Sequence, residues 1–206
     1  MRKLQELLLR DKYDDGGYCE KEKRNIIHDY VLKRKKPLCV EIGVFKGSTL
    51  LSFAEALEVV NGTIVGIDPM NIKDFKNEIL NKKIEKYIYE KLFTKQKTLD
   101  DIFENLLNII KNNDLSKTIK IIRKKSEETF NIFKKESIDI IHIDGNHNEE
   151  SVSKDIENYF PLIKQGGIIM MDDSDWKGVR NSIDKLLTGK TELQISNKHL
   201  EIYIKK

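Results

Sequence analysis

The sequence predicts an α/β fold, a doubly wound and mostly parallel sheet wrapped by helices, with an antiparallel strand at its C-terminal end. Three observations carry this: five short apolar runs, helical apolar spacing between them, and alternating apolar residues around a turn near the end of the chain.

The elements follow in chain order. Residues 1–36 form a Lys-rich helical lead-in broken by a turn at Asp14-Asp15-Gly16-Gly17. Leu38-Cys39-Val40-Glu41-Ile42-Gly43 is a strand ending in glycine, and Leu50, Leu51, Phe53, Ala54 and Leu57 carry helical spacing after it. Further strands are predicted over residues 63–68, 119–122, 138–144 and 167–172. Leu99, Ile102, Phe103, Leu106, Leu107 and Ile110 share one helical face, as do Val152, Ile156, Tyr159, Phe160 and Ile163. Val179, Ile183, Leu186 and Leu187 make a last helix. Leu193 and Ile195, then Leu200, Ile202 and Ile204, alternate around Ser196-Asn197-Lys198 as a closing hairpin, which requires one late strand to run antiparallel. Residues 70–98 mix charged and aromatic residues without a clear strand and read as an inserted helical cap. With no repeat and no Ser/Gly/Pro linker, residues 1–206 read as a single domain.

Composition narrows the function classes. At 39% hydrophobic and 34% charged, the chain reads as a soluble globular protein, neither membrane-spanning nor disordered. Its net charge of +3 is too balanced to mark a nucleic-acid partner. Cys19 and Cys39 form no CxxC pair, which argues against a zinc site, and Cys39 reads as a small core residue. The start, with Leu7-Leu8-Leu9 between Glu6 and Arg10, is too short and charged for a signal peptide, so a cytoplasmic location is expected. A homo-oligomer is compatible with this reading.

The chemistry collects at the strand ends. In an open parallel sheet, ligands bind where the strands terminate. Glu41, Asp68, Asp144, Asp172 and Asp173 all fall there and would share one rim, although any one of them read alone could be a helix cap or turn residue. Gly43 and Gly47 let the first turn approach a ligand, and the following helix offers free N–H groups to an anion. Phe45 stands where the nicotinamide fingerprint needs its second glycine, which counts against a dehydrogenase. Asp68 is placed to accept hydrogen bonds from a ribose diol, so a nucleoside ligand bearing a carboxylate fits both sites.

These residues carry a resemblance. Val40-Glu41-Ile42-Gly43-Val44-Phe45-Lys46-Gly47-Ser48-Thr49, Gly66-Ile67-Asp68, Ile143-Asp144-Gly145-Asn146-His147, and Gly166-Gly167 leading into Met171-Asp172-Asp173 resemble the class I S-adenosylmethionine-dependent methyltransferases. The nearest branch resembles the macrocin-type small-molecule O-methyltransferases, with a more distant likeness to catechol O-methyltransferase. The resemblance implies a Rossmann-like, seven-stranded sheet with a reversed last strand. It implies that Gly43, Val44, Gly47 and Ser48 hold the methionine end of S-adenosylmethionine, that Glu41 supports their loop, and that Asp68 takes the ribose. Ser126 falls at the adenine position, and an N-cap role before Glu127 and Glu128 is an equal reading.

Asp144, Asp172 and Asp173 match a divalent-cation site, expected to hold magnesium. Three carboxylates converging without a basic partner would repel one another, and a hard cation relieves this. His147 suits a general base, the alternative being a solvated loop histidine, and Asp144 is the other candidate proton acceptor. His142, inside a strand, reads as a packed core residue. Tyr13, Tyr18, Tyr87, Tyr89 and Phe93 are candidates for a pocket lid or for ordinary packing. The expected activity is methyl transfer to a hydroxyl of a small-molecule acceptor, a sugar among the candidates. The alternatives are an RNA methyltransferase and a non-catalytic partner subunit. Ile143-Asp144-Gly145-Asn146 lacks the Asn/Asp-Pro-Pro-aromatic signature of base-amino methylation, which argues against the RNA enzyme.

Overall fold

The computed structural model describes residues 19–71, 73, 95–197 and 199–206. Most of the 70–98 cap, the turn at 14–17 and the five candidate lid aromatics lie outside these residues. The lead-in is helical over α1 (Lys21–Leu32). The strands are β1 (Leu38–Ile42), β2 (Thr63–Ile67), β3 (Ile119–Ile122), β4 (Ile138–Ile143), β5 (Ile163–Met171), β6 (Thr191–Ser196) and β7 (Glu201–Lys205). Helices α2 (Ser48–Val60), α3 (Gln96–Asn112), α4 (Glu149–Tyr159) and α5 (Lys177–Leu186) alternate with them.

All seven strands form one sheet in the order β3-β2-β1-β4-β5-β7-β6. The first five are parallel, and β7 lies antiparallel between β5 and β6. The expected reversal is therefore β7, the second arm of the hairpin.

The strands are Ile- and Val-rich because helices cover both faces. Successive residues point to opposite sides, so Cys39, Ile140 and Met170 join one core layer with Ile27, Phe53 and Leu106 from α1, α2 and α3. Val40, Ile141 and Ile169 join the other, with Ile156 and Tyr159 of α4 and Ile183 of α5.

One boundary differs from expectation. Ile163, expected on the α4 face, instead opens β5, because Pro161 and a short 3-10 turn over Phe160–Leu162 end the helix early. The β4–β5 register slips between the Ile138–Ile163 and Ile140–Ile168 pairs, absorbing the extra length.

The register aligns the strand ends. Ile42 pairs with Ile67 and Ile143, Ile67 with Ile122, and Ile143 with Met171. The next backbone N–H continues each ladder: Gly43 N donates to Ile67 O (2.9 Å), Asp144 N to Ile42 O (2.8 Å) and Asp172 N to Ile143 O (3.1 Å). The residues following β1, β2, β4 and β5 thus stand side by side on one rim, at the switch point between β1 and β4.

Candidate active site

The turn after β1 crosses directly over the end of β4. Gly43 has φ +86°, and a Cβ there would lie 1.9 Å from the Asp144 carbonyl oxygen, so only glycine fits. Gly47, also at positive φ, heads α2 against the Leu106 side chain. Asp68 is 4% exposed and braces this turn. Its Oδ2 accepts from Val44 N (2.9 Å) and Phe45 N (2.8 Å), and its Oδ1 from Met70 N (2.8 Å). That bracing role is additional to the expected ribose contact. The Ser48 hydroxyl at the start of α2 is buried without a hydrogen-bond partner among the described residues, an unmet polar group of the kind a ligand satisfies.

Glu41 and His142 face each other across the β1–β4 pair, with Oε1 and Nδ1 3.1 Å apart and both side chains buried. Burial, reinforced by the Asp144 charge, pushes the Glu41 carboxyl well above its ordinary range. Burial, reinforced by the Lys23 ammonium, lowers His142 to about 3. Both shifts favour the neutral forms of the pair that meets beneath the glycine turn. His142 is the packed core histidine expected of it.

The acidic cluster departs from expectation. Lys23 of α1 reaches in, its Nζ 2.6 Å from Asp172 Oδ2 and 3.5 Å from Asp144 Oδ2, with its side chain 11% exposed. The carboxylates do have a basic partner. The expected trio is also divided. Asp144 and Asp172 gather with His142, and Asp144 with His147 and Asp173, each set offering ligand atoms within 4.8 Å of one another. Burial opposes the charge on Asp172, but the Lys23 ammonium, together with smaller contributions from His142 and Asp144, holds that carboxyl low. Burial and the neighbouring Asp172 charge push Asp144 the other way.

His147 is held rather than solvated. Its Nε2 lies 2.9 Å from Asp173 Oδ2 and 3.9 Å from Asp144 Oδ1, and its ring packs 4.6 Å from Trp176. The residue at the N-cap position of α5 is Trp176, not Asp173 or Asp175.

Ser126 is not an N-cap. It opens a short 3-10 turn whose cap is Lys125, and its hydroxyl donates to Asp155 of α4. One helical turn further along α4, the Tyr159 hydroxyl donates to Ser126 O (3.0 Å). Gly43, Asp68, Ser126, Asp144 and Asp155 line one cavity of about 460 Å³. Of these, Asp144 also meets His147, its Oδ1 3.9 Å from His147 Nε2. Lys23 and Asp155 are site residues that the sequence reading missed. Nothing local distinguishes Lys23 from the other lysines around it. Asp155, however, falls inside the apolar stripe of Val152, Ile156 and Tyr159, and a charge in such a stripe is a readable signal.

This sheet order and rim define the class I S-adenosylmethionine-dependent methyltransferases. The profile of a family described as a methyltransferase domain matches residues 40–174, and the chain belongs to that family. No curated protein matches it by sequence. Among solved structures, a Staphylococcus aureus protein assigned as a caffeoyl-CoA O-methyltransferase is similar at 15% identity and TM-score 0.68, covering 100% of this chain and 91% of that one. The S-adenosylhomocysteine-bound methyltransferase PaMTH1 of Podospora anserina is similar at 14% identity and TM-score 0.65, over 100% and 87%. CalS11, a TDP-rhamnose 3'-O-methyltransferase of calicheamicin biosynthesis, is similar at 15% identity and TM-score 0.57, over 98% and 92%. Among the described residues, no helix is long and apolar enough to cross a membrane.

Proposed function

We propose that the protein moves the sulfonium methyl group of S-adenosylmethionine to a hydroxyl of a small molecule, with a sugar as the acceptor class. The observation that carries this reading is that Asp144, which lines the cavity, lies 3.9 Å from His147, itself 2.9 Å from Asp173. The likeness to a TDP-rhamnose 3'-O-methyltransferase supports the acceptor class.

In this reading Gly43, Val44, Gly47 and Ser48 receive the methionine end, Asp68 the ribose and Ser126 the nucleobase. The acceptor oxygen attacks the methyl carbon as the carbon–sulfur bond breaks, leaving S-adenosylhomocysteine. His147 takes the hydroxyl proton, and the Asp173 carboxylate, 2.9 Å from its Nε2, orients the ring and stabilises the imidazolium. Most of the rate enhancement comes from alignment of oxygen, methyl and sulfur.

The resemblance also implies a divalent cation. The donor set suits one: hard carboxylate oxygens of Asp144 and Asp172 already bind a cationic group, the Lys23 ammonium, and Asp173 stands beside Asp144. Asp144, Asp172 and Asp173 would hold the ion, in competition with Lys23. Once bound, it would lower the pKa of an acceptor hydroxyl and fix its direction.

Calorimetric titration with S-adenosylmethionine, in magnesium and again in chelator, followed by S-adenosylhomocysteine release with a panel of hydroxylated sugars, tests the reading. One-site binding and acceptor-dependent release are expected. Absence of cofactor binding in both conditions, or release only with amine or RNA acceptors, would overturn it.

A further inference from the structure

Asp155 poses a question that the proposed chemistry leaves unanswered. It is 5% exposed, yet its carboxyl lines the cofactor cavity. Its one hydrogen bond among the described residues comes from the Ser126 hydroxyl, on Oδ1. No described ammonium or guanidinium pairs with it: Lys154, its chain neighbour, turns to Glu150 (2.8 Å) and Glu127 (4.0 Å). A buried carboxyl without a cation is costly, and such groups collect at binding sites. Its second oxygen, Oδ2, faces Gly145, where an added Cβ would stand 3.8 Å away, and Gly145 also lines the cavity.

We infer that Asp155 is the residue that selects adenine in the cofactor, its Oδ2 accepting a hydrogen bond from the 6-amino group while Ser126 fixes its Oδ1. The inference rests on the cofactor reading above. The Gly43 turn, Asp68, Ser126 and Asp155 line the same cavity, so a ligand with its methionine end at the turn and its ribose at Asp68 has Asp155 within the space left for its base. Tyr159, one turn along the same helix, pins the Ser126 backbone, so the pair is held from α4 on both sides of the contact. An ionised carboxylate only accepts hydrogen bonds. A 6-amino purine offers it a donor at that position, whereas a 6-oxo purine puts an acceptor there and moves its donor to the ring N1–H, away from the place of the 6-amino group. Asp155 is thus a specificity residue that takes no part in methyl transfer.

The test compares binding of S-adenosylhomocysteine and S-inosylhomocysteine by calorimetry at about pH 8.5, where the carboxyl is ionised. The wild-type protein should prefer the adenosyl compound by about tenfold or more, the worth of a hydrogen bond to a charged group. In Asp155→Asn, whose amide both donates and accepts, the preference should fall to within about threefold. Ser126→Ala, which frees Oδ1 but keeps the carboxylate, should retain most of the preference. If Asp155→Asn weakens both ligands equally and keeps their ratio, Asp155 merely supports the Ser126 turn and the inference is wrong. If the wild-type protein binds neither compound, the cofactor reading itself fails and takes the inference with it.

Discussion

The Lys23 ammonium lies 2.6 Å from Asp172, joining residues 149 positions apart. It ties α1 to the end of β5 and is the one lysine or arginine that pairs with Asp144 and Asp172 among the described residues. Lys23→Met leaves two half-buried carboxylates beside each other without their ammonium partner, which is destabilising. The variant should melt well below the wild type in chelator and recover more of its melting temperature than the wild type does when magnesium is added. A variant that ignores magnesium would remove Asp144 and Asp172 from the cation site.

Gly43→Ala forces a methyl group onto the Asp144 carbonyl, with which it would overlap at 1.9 Å. The strand ends have to part, and the positive φ adds about 1 kcal/mol of its own. We expect a loss of several kcal/mol in urea denaturation, together with loss of S-adenosylmethionine binding. Near-wild-type cofactor affinity would show that the turn is not the methionine-end cradle.

His147→Gln removes the proposed proton acceptor but keeps a polar side chain of similar reach. Turnover should fall by about 10²–10⁴-fold while S-adenosylmethionine affinity stays within about twofold. Asp172→Asn should likewise reduce turnover while sparing cofactor binding. Equal loss of both properties in either variant would contradict the assigned role.

The Asp155 carboxyl is pushed up to about 7 by burial, the Ser126 hydrogen bond opposing the shift and the Glu127 charge adding to it. Because the folded value exceeds the unfolded one, the folded state holds the proton more tightly. The resulting stability is fully present below about pH 4 and is lost as pH rises through about 7. The wild-type urea midpoint should therefore fall between about pH 4 and pH 8 relative to Asp155→Asn, which carries no such group. Parallel pH profiles for the two proteins would place the titration elsewhere.

Local chemistry was enough to make the strand ends legible. Apolar runs closed by Gly43, Asp68, Asp144 and Asp172 mark where each strand stops, and a parallel sheet must bring such ends to one rim because its strands all point the same way. The alternation around Ser196–Lys198 likewise announced the hairpin, since a period of two is the strand's own geometry. The end of α4 is not legible in the same way, because Ile163 fits a helical face as well as a strand, and only its pairing with Ile138 decides between them.

Pairings between distant residues were beyond the sequence. Lys23 sits among many lysines, and its meeting with Asp172 depends on how α1 packs beside α2 against the sheet. His147 could be solvated until the loop after β5 brings Asp173 to 2.9 Å. Ser126 could cap a helix until α4 presents Asp155 to its hydroxyl. Strand ends and turns are set by neighbours along the chain, so the order of residues determined them. Which charge meets which partner across the rim is set by helix packing and burial, and only the tertiary structure decided it.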